Sequence, residues 1–170
     1  MSAMKLLLIA CLLSVALYSS ARAQDSTRLN RYESVIGVTI AFSLFDYIGW
    51  NLDVNIHHNP VWIFRGIQVL AQAAISYFLY KTCGLNSAIA FNLIWWTWGD
   101  DLAFYGYQLG INMGSPWPNR TYRNDLQVNQ ITWAGWTPIG MMRSPGSVIA
   151  RSALYGQAVV GFSIAMGLLW

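Results

Sequence analysis

The 170-residue chain is 55% hydrophobic and only 10% charged, with a mean hydropathy of +0.38. Roughly a quarter of the residues in a soluble domain are charged, so this composition argues against a soluble domain and for membrane residence. The pI of about 9.0 looks basic, yet two of the ten basic residues, Lys5 and Arg22, fall in a leader. Without them eight Lys+Arg face seven Asp+Glu, a net of +1 that gives nucleic-acid binding no support.

Residues 1–23 read as a secretory signal peptide: Lys5, an apolar run from Leu6 to Leu17, then Ala21-Arg22-Ala23, an A-x-A site with cleavage expected before Gln24. An uncleaved anchor is the alternative, because Arg22, Arg28 and Arg31 just beyond the run disfavour translocation. Cys11 lies in the leader, which leaves Cys83 without an intrachain disulfide partner.

A helix must cover about 30 Å of hydrocarbon at about 1.5 Å per residue, so spans appear as apolar runs near 20 residues. Four follow the leader, at about 35–52, 60–80, 85–110 and 148–170. They predict an all-α, multi-pass transmembrane helical bundle forming a single membrane domain over 24–170. The first connection is polar, and Pro60 suits the first position of the second helix. The second connection, Lys81 to Gly84, is so short that the second and third helices should form an antiparallel hairpin. The long loop is 111–147, rich in proline. Within it Ile131 to Met142 is apolar but too short to span and is interrupted by Pro138, which reads as an interfacial or re-entrant piece, with a fifth span as the alternative.

Lysine and arginine near the helix ends set the orientation. Arg120, Arg123, Arg143 and Arg151 crowd the third connection, which favours a mature N-terminus outside and loops 53–59 and 111–147 in the cytoplasm, in a plasma or inner membrane. Asn119-Arg120-Thr121 fits the N-glycosylation pattern but would then be unused.

Charged groups in hydrocarbon are costly by at least ~2.5–3.5 kcal/mol each on insertion scales and usually face the interior, pair, or mark a site. Asp46, Arg65, Asp100, Asp101 and Arg151 are of this kind. Following the chain up the first helix, down the second, up the third in reverse and into the fourth brings all five to one leaflet. Helical spacing puts Thr39, Ser43, Asp46, Trp50 and Asp53 on one stripe, and Arg65, Gln68, Gln72 and Ser76 on another. The two stripes should face each other, with Asp46 and Arg65 as the best single contact. Gln68 completes the candidate binding cluster.

On a straight third helix Asp100 and Asp101 diverge by roughly 100°, so both turn inward only if the helix breaks at Gly99. The competing reading makes Trp95, Trp96 and Trp98 an aromatic belt with Asp100 and Asp101 among the headgroups. Gly99, Ala103, Gly106 and Gly110 form a small-residue seam suited to close helix packing, and to a possible homo- or hetero-oligomer contact. Three acids against two arginines leave one carboxyl unmatched, an arrangement that fits a proton relay or a cation site; ion pairing that only fixes helix register is the bland alternative.

His57 and His58 lack metal-ligand spacing and are weak metal candidates. No G-x-S-x-G, C-x-x-C or glycine-rich phosphate loop appears, and no cofactor is expected. Three functions compete: binding or moving a small or amphipathic molecule or a proton; an assembly subunit; and an intramembrane lipid-acting, metal-dependent or metal-free hydrolase. Whether the chain is an enzyme, the residues do not say, and no catalytic residue can be named.

Overall fold

The computed structural model describes residues 28–52, 57, 59–103, 130–131, 137–144 and 147–170. The leader and its cleavage site, Asp53, His58, Gly106 and Gly110 therefore lie outside the described residues. The elements are α1 (Arg28–Gly49), α2 (Val61–Cys83), α3 (Leu85–Trp96), β1 (Gln130–Ile131), α4 (Pro138–Met141), β2 (Ile149–Ala150) and α5 (Arg151–Leu169). Three helical stretches, Asn30–Leu52, Val61–Cys83 and Ser152–Leu169, are long and apolar enough to cross a membrane. At about 1.5 Å per residue they cover about 27–35 Å, the thickness of a hydrocarbon core. The chain thus has a mostly helical, transmembrane character.

α2 runs on to Cys83 and α3 starts at Leu85, so Gly84 alone joins them. Its φ of 89° and ψ of 173° belong to a region essentially open only to glycine, which explains a one-residue turn at this position. The helices fold back alongside one another as the short connection predicted. Asn92 of α3 accepts from Gln72 Nε2 at 2.9 Å and donates to Ser76 Oγ at 2.7 Å. The polar stripe of α2 is therefore split: Gln72 and Ser76 turn to α3, and only its first turns remain beside α1. Asn92 is the reason, since its amide satisfies both groups within the hairpin.

α3 occupies the middle of the bundle, packed by α2, α5 and α1. Phe91 and Ile94 join Val35, Val38, Phe42 and Phe45 of α1 in the core, with Phe91 edge-on to Phe42 at 5.8 Å between centroids. At one end of the bundle Tyr32 Oη donates to the Met166 carbonyl at 3.0 Å, and Asn86 Nδ2 donates to that of Leu168 at 3.0 Å. The start of α1, the start of α3 and the end of α5 thus share that end. The end of α1, the start of α2, the end of α3 and the start of α5 gather at the other.

The regular helix expected over 85–110 stops at Trp96. Residues 97–98 form a turn, Trp98 takes a left-handed φ of 76°, and helix resumes over 99–103. Such a conformation costs of order 1–3 kcal/mol for a non-glycine residue and persists where packing dictates it. Here the Trp98 ring is fully buried and lies 5.6 Å from the Tyr155 ring of α5. Trp98 is an interior residue and not part of an aromatic belt; Trp96 is exposed.

Of the 131–142 segment, residues 132–136 lie outside the described residues. Pro138 opens the four-residue α4, where a missing N–H is harmless, and Thr137 caps it by accepting from Gly140 N at 3.3 Å. β1 and β2 pair antiparallel, Gln130 opposite Ala150 and Ile131 opposite Ile149, tying this region to the start of α5.

Candidate acidic site and its apolar groove

α1 offers one face through Ile36, Thr39, Ile40, Ser43 and Asp46, spaced three and four apart. Thr39, Ser43 and Asp46 are buried, whereas Ile36 and Ile40 are exposed. Hydroxyls on this face first satisfy themselves locally: Thr39 Oγ1 donates to the Val35 carbonyl at 2.8 Å. Ser43 Oγ lies within hydrogen-bond range of the Thr39 carbonyl, at 2.9 Å, and of Asp100 Oδ1. That last contact crosses from α1 to the segment after the helix break.

The break decides the geometry of the acids. Asp100 and Asp101 are 2% and 8% exposed, so both adjacent carboxyls are sheltered by protein. Gly99 makes the return possible, because a Cβ there would lie 2.6 Å from Ile94 Cγ2 and 2.9 Å from the Ile94 carbonyl oxygen. The sequence placed Gly99 in a helix-packing seam; its structural role is to let the chain double back against the last turn of α3. Ala103 is half-buried on the resumed helix.

Asp46 is 4% exposed, and its Oδ1 has no hydrogen-bond partner among the described residues. Asp46 feels the charge of Asp100, and Asp101 feels both of the others; Arg65 acts on all three. Arg65 makes no ion pair among the described residues. Its guanidinium donates to Gln68 Oε1 and lies 5.1 Å from the centre of the Trp50 ring. Gln68, itself buried, thus holds the arginine beside α1. The expected Asp46–Arg65 partnership is one of field and not of contact, because Gln68 and Trp50 claim the guanidinium.

Five of the six residues expected to cluster, Asp46, Arg65, Gln68, Asp100 and Asp101, therefore gather at one end of the bundle. Arg151 begins α5 at that same end, its side chain lying outside the described residues. Ser43 is the member that sequence reasoning left unassigned to the cluster, although its place on the Thr39–Asp46 stripe was the signal. His57 is exposed, and among the described residues no group of three His, Cys, Asp or Glu side chains is arranged to hold a metal ion.

A groove of about 350 Å³ runs between α1, the 99–103 segment and α5, lined by Ile36, Thr39, Ile40, Gly99, Val159 and Phe162 among others, and by none of the three acids. Ile40 and Val159, 51% and 64% exposed, form its open lips. Small-molecule sites occupy roughly 300–1,000 Å³, so the groove is large enough for one. Comparison with protein-family models, curated proteins and solved structures finds no match to this chain.

Proposed function

We propose that this chain is a multi-pass membrane protein that binds or moves a small or amphipathic molecule, or a proton, at the Asp46–Asp100–Asp101 cluster. In this reading the leader is cleaved before Gln24, and α3 with the segment after its break makes a fourth, interrupted crossing. The mature N-terminus lies outside a plasma or inner membrane, with 53–59 and 111–147 in the cytoplasm. Broken helices at membrane depth are tolerated where they line a cavity or are buried in protein, and the bend at 97–98 is of that kind.

The observation that carries the proposal is the buried carboxyl oxygen of Asp46, which has no partner among the described residues. Buried polar groups are nearly always hydrogen-bonded, and a register-fixing ion pair would have engaged this oxygen. The test is native mass spectrometry of full-length protein released from detergent, comparing wild type with Asp46→Asn and Asp101→Asn. Wild type should carry a bound small or lipid-like species that both variants lose while still accumulating in the membrane. Variants that lose abundance in step with the bound species would refute the proposal in favour of structural ion pairing.

A further inference from the structure

α2 is the least buried of the three helices long enough to cross a membrane, and its two faces differ. Phe64, Gln68, Ala71, Ile75 and Leu79 recur at three- and four-residue spacing and are buried against the bundle. Trp62, Val69, Leu70 and Tyr77, on the opposite side, are 55–75% exposed. From Gly66 to Tyr80 the chain carries no Asp, Glu, Lys, Arg or His, so every exposed side chain on this stretch is apolar or a tyrosine. An exposed face free of charge is what hydrocarbon tolerates.

Both limits of that face are marked by a cation set against aromatic rings. Arg65 lies 5.1 Å from the centre of the Trp50 ring, and Lys81 Nζ lies 5.7 Å from the centres of both the Tyr77 and Tyr80 rings. Aromatic rings settle at headgroup level, and long basic side chains reach from helix ends toward the phosphates. Trp62 and Tyr80 are about 27 Å apart along α2 at the helical rise. α1 repeats the measure, since Tyr32 and Trp50 are also about 27 Å apart. The two tiers coincide: the Trp50 ring lies 5.7 Å from that of Phe64 near the start of α2, while Tyr32 bonds near the end of α5, which closes on the exposed Trp170. Trp96, exposed at the end of α3, joins the first tier.

We infer that the outward face of α2 is a wall against lipid, crossing a hydrocarbon core of about 27 Å, with Trp62 and Arg65 at one headgroup boundary and Tyr80 and Lys81 at the other. Such a core is at the thin end of the range for cellular membranes, which runs to about 33 Å. The bilayer, and not a further helix, is the occupant, because the face carries cations only at its two limits, where headgroup phosphates lie. Asp46, four residues before Trp50, then sits about 6 Å beneath the first boundary, nearer to it than to the bilayer centre.

The experiment uses full-length protein with Cys11→Ser and Cys83→Ser in phosphatidylcholine nanodiscs, carrying a nitroxide at one exposed position of α2 through Trp62→Cys, Leu70→Cys or Tyr80→Cys. Relaxation of the label by oxygen, which concentrates in hydrocarbon, is compared with relaxation by a water-soluble nickel chelate. The ratio of the oxygen effect to the nickel effect should be severalfold higher at Leu70, midway along the face, than at Trp62 or Tyr80. A label at Leu70 shielded from both reagents would overturn the assignment by showing protein on that face; a nickel effect there equal to that at the two ends would overturn it by placing the face in water. Unlabelled wild-type protein is then heated in nanodiscs whose cores run from about 23 to about 35 Å. The unfolding midpoint should peak near a core of about 27 Å and fall by at least about 3 °C near 33 Å, as a mismatch of about 6 Å implies. A midpoint that keeps rising with thickness, or does not respond to it, would overturn the match to a thin core.

Discussion

Replacing Asp46 separates a binding site from a structural staple by the sign of the stability change. Asp46 is 4% exposed, Oδ1 lacks a partner among the described residues, and Arg65 bonds elsewhere. Leaving a buried polar group unsatisfied costs about 1–3 kcal/mol, and more for a charge, so Asp46→Leu, close in size and without polar atoms, should stabilise the protein by about 1–3 kcal/mol. Asp46→Asn keeps an amide that needs partners, and its gain should be about 1 kcal/mol or less. A staple predicts the opposite, since breaking a buried ion pair costs about 3–5 kcal/mol. For a chain of this length each kcal/mol moves the midpoint by about 2–4 °C. Thermal unfolding in detergent, followed by near-UV circular dichroism, reads the difference directly. A double-mutant cycle with Arg65→Met adds a control: the coupling between the two side chains should stay under about 1 kcal/mol, because they do not touch. A loss of stability in Asp46→Leu, or a coupling of about 3 kcal/mol, would refute the claim that this carboxylate is held in reserve for a ligand.

Other consequences concern the scaffold. A Cβ on Gly161 would overlap the Thr97 side chain, so Gly161→Ala should push α5 off the helix break and lower stability by about 1–3 kcal/mol, measured by denaturant titration in mixed micelles. Gly84→Ala should cost of the order of 1–3 kcal/mol by the same assay, since φ 89° with ψ 173° is closed to alanine. Ser43→Ala removes the hydroxyl that donates to Asp100 and should cost about 1.5–3 kcal/mol, the range for hydrogen bonds to charged groups; no change in unfolding midpoint would show that the contact contributes nothing.

Local chemistry carried much of this molecule. Apolar runs long enough to span a bilayer show in any hydropathy reading, and three of the four expected stretches contain helices of spanning length. The helical hairpin followed from the shortness of the 81–84 connection; that the helix runs on to Cys83 and leaves Gly84 alone as the turn did not. The grouping of Asp46, Arg65, Gln68, Asp100 and Asp101 at one end followed from chain direction alone, because each reversal returns the chain to a known side. Ser43 was legible as a stripe position but not as the partner of Asp100, which lies on a segment whose direction the sequence left undetermined.

What the tertiary structure decided is where side chains point once a helix stops being regular. A periodic pattern assumes continuous 3.6-residue winding, and that assumption fails at Thr97–Trp98. The left-handed turn is held by burial of the Trp98 ring against Tyr155 of α5, a contact between residues far apart in sequence. Only that packing brings Asp100 and Asp101 inward together. Likewise Gln72 and Ser76 follow Asn92 rather than α1, and Arg65 follows Gln68 and Trp50 rather than Asp46. Hydrophobicity and chain reversal are properties of segments and can be read along the chain; the choice among competing polar partners depends on distances that exist only after the helices have packed.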